Sequence, residues 1–182
     1  MRILCLTAAA LVLVGCQTKK LPISETATIS PTFKDADGID VFAGKRRNGE
    51  AVPAYRGDQF IEVRSFQHRP VKNTPHTRKT EFAGARCVLS GTGFEGNVTT
   101  PSKIRVPIYG YESSELAVRC VADGYQPVVK TVRAINKTKS DRFASASGAG
   151  LIGVFVVAAV NAASDETKHV FLYGPLNVDF KN

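Results

Sequence analysis

The sequence predicts a mainly β protein: a small antiparallel β-sandwich over residues 59–182, with one apolar Gly/Ala-rich helical insert (144–163) before the last strand and a flexible tether ahead of it. Three observations point there. Between Arg86 and Gly124, short runs rich in β-branched residues recur at intervals of about 8 to 12 residues, separated by Gly and Pro. Within those runs apolar and polar residues alternate, which is the period-two signature of a strand with one face in a core and one in water. With 182 residues, 43% of them hydrophobic and 22% charged, the chain can bury one core and is not a disordered polymer.

The N-terminus reads as an address. Arg2 is followed by an apolar run from Ile3 to Val14 and then by Gly15 and Cys16. A cation, a short hydrophobic stretch and small residues before a cut are the parts of an export signal. The run falls short of the roughly 20 residues that span a bilayer as a helix. Leu13-Val14-Gly15-Cys16 resembles the lipobox of bacterial lipoproteins, in which the Cys thiol receives a diacylglycerol, the signal is cut before it, and the new amino group is acylated. The resemblance implies a lipoprotein signal peptide over residues 1–15 and lipidation at Cys16. Several acyl chains, at about 0.8 kcal/mol per buried CH₂, exceed what stable anchoring needs, so the expected partner is a membrane held through the N-terminal lipid. Gln17 stands where enterobacterial members of the family carry Asp for inner-membrane retention. The resemblance therefore implies the outer membrane of a Gram-negative cell, on its periplasmic face.

Residues 16–58 mix Pro22, Pro31, Pro53 and several Gly with scattered charge and sustain no period, so they read as a lipidated tether. The triplet Lys45-Arg46-Arg47 either meets anionic headgroups near the anchor or is simply solvated. Over the whole chain 24 Lys and Arg outnumber 16 Asp and Glu, a formal +8, and only Arg2 of these leaves with the signal. That balance suits anionic lipid or phosphate-bearing polymers without choosing between them. An exported address argues against nucleic acid.

Gln59 to Phe66 alternates, with Phe60, Glu62, Arg64 and Phe66 on one side and Gln59, Ile61, Val63 and Ser65 on the other, a strand with an imperfect face. The following stretch, residues 68–80, holds two Pro and a run of cations and reads as an exposed loop or boundary. Beyond it, Ile104 and Val106 alternate with Lys103 and Arg105, and Leu116, Val118 and Cys120 with Ala117 and Arg119. Gly91-Thr92-Gly93 reads as a hairpin turn. Cys5 lies in the signal and Cys16 takes the lipid, which leaves Cys87 and Cys120 as an even pair in an exported chain, expected to form a disulfide. Free buried thiols or a redox couple are the alternatives, although no CxxC spacing supports the second.

The order of Cys87-Val88-Leu89, a Gly turn, Val98-Thr99-Thr100-Pro101, Ile104-Arg105-Val106, Leu116 to Cys120 and Gly124-Tyr125 resembles the small PEGA-like β-sandwich modules of bacterial envelope lipoproteins. The literal PEGA tetrapeptide is absent. The resemblance covers about 40 to 50 residues and implies an envelope surface role with no catalytic residues to carry over.

Residues 144–163 contain no charge, but bulk is confined to Leu151–Val160. Small residues recur four apart, Ala146 with Gly150 and Ala149 with Gly153, which on a helix makes a strip that another backbone can approach. A helix packed on the sandwich, helix association or peripheral insertion at a membrane, and a membrane span all remain open. Leu176, Val178 and Phe180 then alternate with polar residues in a closing strand.

No residue constellation predicts chemistry. His68, His76 and His169 lack ligand spacing for a metal, and Glu112 and Glu115 beside Ser113 and Ser114 lack any nucleophile motif. Neither cofactor, metal site nor enzymatic activity is expected. Tyr109, Tyr111 and Tyr125 with Arg105 and Arg119 would make a glycan- or phosphate-binding patch if folding brought them together, and otherwise pad the sandwich edge. The expected role is non-catalytic binding or scaffolding with an envelope protein as partner, or alternatively peptidoglycan or glycan binding.

Overall fold

The computed structural model describes residues 20–146 and 164–181. Its strands are β1 Glu25–Thr28, β2 Ser30–Pro31, β3 Asp58–Pro70, β4 Thr77–Phe82, β5 Arg86–Gly91, β6 Phe94–Thr99, β7 Ser102–Pro107, β8 Leu116–Val121, β9 Val128–Val132, β10 Ala134–Asn136, β11 Phe171–Tyr173 and β12 Leu176–Phe180. Its helices are α1 Ala43–Arg47 and α2 Lys137–Ala146.

One sheet runs β1-β7-β3-β12, with β4 pairing the far half of β3; the other runs β2-β6-β5-β8-β9, and β10 and β11 form a separate ribbon. The expected antiparallel, mainly β architecture is present, with two exceptions. β1 lies parallel to β7, and β12 parallel to β3. Neither pair is joined by a hairpin, so nothing obliges its strands to run opposite ways.

The alternation read from sequence sets the core. Ile61, Val63, Ile104, Val106, Leu176, Val178 and Phe180 from the first sheet meet Leu89, Phe94, Val98, Leu116 and Val118 from the second, all buried. Cys87 and Cys120 are directly opposite one another on β5 and β8, their Cα atoms 4.1 Å apart, and form a disulfide on the core side. Gly96 occupies an inward position of β6, where a Cβ would lie 2.3 Å from Ile104 Cδ1. Overpacking of this kind costs about 1 to 3 kcal/mol, so Gly96→Val is expected to lower the midpoint of thermal or urea unfolding accordingly. An unchanged midpoint would show that the sheets separate freely there.

The tether reading fails for residues 20–58. β1 and β2 belong to the two sheets, and the buried Ile29 between them marks where the chain crosses from one to the other. Val41, Phe42 and Ala43 are also buried, and the rings of Phe33, Phe42, Tyr109 and Tyr55 pack in tilted and edge-to-face contacts as one aromatic cluster. Isolated apolar residues among Pro and Gly carry no period, yet each of them finds the core through tertiary contact.

The loop expected at residues 68–80 is corrected too. β3 continues to Pro70 and β4 returns from Thr77, pairing Arg69 with Arg78 and His68 with Lys79 in a projecting hairpin. Pro70 and Pro75 are tolerated because this hairpin lies outside the main ladder. Its root is fixed by a run of hydroxyls. Ala85 N donates to Thr100 Oγ1 at 3.2 Å, Thr100 and Ser65 share a 2.6 Å hydroxyl contact, and Ser65 Oγ donates to Phe82 O at 2.6 Å.

The helix α2 starts ahead of the expected insert and overlaps it only over residues 144–146, and both β11 and β12 follow it in the chain. Asn136 Oδ1 accepts the Lys139 amide at 2.9 Å and caps the start of α2. Ala149, Gly150 and Gly153 lie outside the described residues, as does Cys16. No described helix is long and apolar enough to cross a membrane.

Candidate functional site

The long strand β3 gives the molecule two ends, about 40 Å apart at 3.3 Å per residue. At one end it starts beside Ile108, α1 and the β10–β11 ribbon; at the other it enters the hairpin with β4.

On the outer face of β3 charges interlock. Arg64, 5% exposed, donates to Glu62 Oε2 at 2.9 Å, to Glu81 Oε1 at 2.5 Å and to the Leu21 carbonyl at 3.0 Å. The Leu21 amide in turn donates to Glu81 Oε2 at 3.0 Å. Arg64 is therefore buried, although it sits on the solvent side of the sheet, because the N-terminal segment lies over it. Burial opposes its charge, but the bonds to Glu62 and Glu81 outweigh burial and raise its pKa. The same bond from Arg64 holds Glu62 below the usual carboxylate range.

Farther along the same face, Asp179 accepts from Lys79 at 2.5 Å and meets His68 at 3.4 Å, while Lys79 also sits 4.4 Å over the Phe66 ring. Burial raises the Asp179 pKa, but Lys79 and His68 more than reverse that and leave it lowered. The hairpin beyond is exposed and carries Arg69, Lys72 and Arg78, none with an ion-pair partner among the described residues. Between His68 and Thr80 there is no carboxylate.

At the opposite end Arg105 grips Asp58 through two bonds of 2.7 and 2.6 Å and holds its carboxyl below the usual range. Burial and the bond to Asp58 push the Tyr55 hydroxyl up to about 12. A shallow cleft of about 300 Å³ beside this pair includes Arg56, Lys168, His169 and Phe171. A second cleft, about 310 Å³, lies on the outer face of the other sheet among Glu25, Arg86, Asn97, Thr99 and Arg119, flanked by exposed Val88.

The aromatic and cationic patch does not assemble. Tyr109 is buried and donates to Asp40 Oδ1, Tyr125 stacks on Phe82 and donates to Gln67, and Arg105 is spent on Asp58. Of the three tyrosines only Tyr111 is exposed, and the exposed Arg119 lies on the outer face of the other sheet. Lys45-Arg46-Arg47 forms α1 at the end far from Leu21. Arg46 is bound by Asp40 and the Pro53 carbonyl, Arg47 by the Asp35 carbonyl, and Lys45 lies over Phe33, so the triplet is structural.

Ser113 and Ser114 accept the amides of Tyr109 and Thr92, and Glu115 pairs with Arg133. His169 contacts Asn136 and His68 contacts Asp179, and no metal-holding group of residues occurs among the described ones. The Arg64–Glu81–Leu21 clasp and the basic hairpin are the features that sequence reasoning missed. The lack of any carboxylate from 68 to 80 was the signal available for the hairpin. Comparison with known protein families, with characterised proteins and with solved structures finds no match to this chain.

Proposed function

We propose that the chain is a lipid-anchored envelope protein, held through Cys16 on the periplasmic face of the outer membrane, with a non-catalytic binding or scaffolding role. The observation that carries this reading is Leu13-Val14-Gly15-Cys16 at the end of a short apolar run behind Arg2. Two features of the fold support it. The Cys87–Cys120 disulfide suits an oxidising compartment. The mainly β fold, with Thr100-Pro101 ahead of β7 and Gly124-Tyr125 after β8, is compatible with the PEGA-like resemblance read from the sequence.

Mass spectrometry of the N-terminal peptide from membranes is the test. The expected species begins at Cys16 and carries a diacylglycerol thioether with an acylated amine. A peptide in which Cys16 is an internal free thiol overturns the reading. In cells, Cys16→Ser is expected to abolish the lipid mass and the cut before residue 16.

A second reading, peptidoglycan or glycan binding, is favoured by the cleft that places Arg86, Arg119, Asn97 and Thr99 side by side on an open sheet face. Sedimentation with purified sacculi, lost on Arg119→Glu, supports it; wild-type protein that stays in the supernatant ends it.

A further inference from the structure

The β3–β4 hairpin carries an arrangement that folding does not reward. Arg69 and Arg78 face each other directly across the ladder, a like-charge pair that destabilises a sheet. Lys72 adds a third exposed cation near the tip, and Lys79 adds a fourth on the opposite face. No carboxylate lies within the hairpin to relieve them. On the outer face of the same sheet Arg64 and Arg105 are paired with carboxylates, and within the hairpin Lys79 is, whereas Arg69, Lys72 and Arg78 have no ion-pair partner among the described residues.

A second observation places the start of the described chain at the root of this hairpin. The clasp of Leu21 by Glu81 and Arg64 lies at its root, with Glu81 opposite Phe66 in the ladder. Five residue steps separate Leu21 from Cys16, a reach of roughly 17 Å fully extended. From Phe66 to Lys72 is about 20 Å at strand rise. A bilayer holding Cys16 is therefore within reach of the hairpin.

We infer that the β3–β4 hairpin is a headgroup-binding arm that lays Arg69, Lys72 and Arg78 against the anionic lipid surface in which the chain is anchored. The inference rests on the lipid-anchor reading for its geometry, but headgroup binding by the arm is testable without the lipid. Juxtamembrane cations each contribute about 1 kcal/mol at such a surface and lose it with salt, so three together correspond to roughly a hundredfold in affinity.

The contacts described here involve residues 20–181, so a chain beginning at Gln17 retains them all. This chain is sedimented with vesicles of phosphatidylglycerol and, separately, of phosphatidylcholine. The expected result is binding to the first, at least tenfold weaker binding to the second, and release at about 0.5 M salt. Arg69→Glu/Lys72→Glu/Arg78→Glu is expected to abolish binding. Lys34→Glu/Arg47→Glu/Lys168→Glu, an equal change in net charge at the far end, is expected to leave most of it.

Arg69→Gln/Arg78→Gln serves as a milder variant. It is expected to keep or raise the melting temperature, because the opposed charges are gone, and still to weaken binding. Equal loss in the two triple variants, no binding of wild type to phosphatidylglycerol, or binding to sacculi but not to vesicles each overturns the arm. An unmodified Cys16 in vivo, with vesicle binding intact, removes the anchor and leaves the arm.

Discussion

Cys87→Ala/Cys120→Ala is expected to lose about 3 to 4 kcal/mol of unfolding free energy, the denatured-state entropy released when a loop of this length is opened. The two sulfurs are 33 residues apart in sequence. The segment between them is not local, because β6 belongs to the same sheet as β5 and β8 while β7 crosses to the other. The bridge thus ties a loop that visits both layers, and the freed chain must re-find both. Both positions are buried and directly opposed, so truncation to Ala also removes two packed sulfurs and adds a smaller cavity cost in the native state. For a domain of this size the loss corresponds to a fall in melting temperature of roughly 10 °C. A reducing agent is expected to shift the wild type by a similar amount and the double variant not at all. Equal melting of wild type with and without reductant would show that the bridge constrains nothing.

The parts of the fold legible in the sequence are those in which burial alternates. Leu116, Val118 and Cys120 face the core, as do Ile104 and Val106, and Leu176, Val178 and Phe180, because a period of two leaves the strand no other way to hide its apolar half. The sulfur pairing was legible for a different reason: with Cys5 and Cys16 assigned to an expected signal and lipid, Cys87 and Cys120 leave one pairing.

Illegible were the elements that exist only through partners distant in sequence. Thr26 and Thr28 say nothing of a strand until β7 supplies the ladder, and Phe33 and Phe42 look like solvated loop residues until Tyr109 closes over them. Arg64 misled in the same way. On alternation alone it belongs to water, and only the returning segment at Leu21 buries it. The basic hairpin was hidden by its prolines, which argue against a strand in a core but not against a projecting arm. The headgroup role weighed for Lys45-Arg46-Arg47 was a reading of composition, and three intramolecular contacts take those side chains out of it.

Arg64→Met is expected to cost about 3 to 5 kcal/mol, the usual consequence of removing one member of a buried ion pair and stranding the other. Glu81 is the stranded group. Its side chain is only 8% exposed, and after the substitution it keeps the Leu21 amide but no cation. Glu81→Gln in the same background is expected to restore a large part of the loss, because a neutral amide needs no countercharge and still accepts from Leu21. A double-mutant cycle measures that recovery, and strictly additive losses would mean that the pair is not coupled.

The acid side of the stability curve gives an independent reading. Glu62 is held below its ordinary range by Arg64, so it contributes stability that is complete above the unfolded carboxylate pKa and disappears as pH falls through the lowered folded value. Arg64→Met removes that contribution, so the variant's stability is expected to fall less steeply over this interval. With the Arg64 bond to the Leu21 carbonyl gone, the Leu21 amide is expected to exchange faster than amides of β8, whereas equal acceleration of both would mean that the whole sandwich, not the clasp, had loosened.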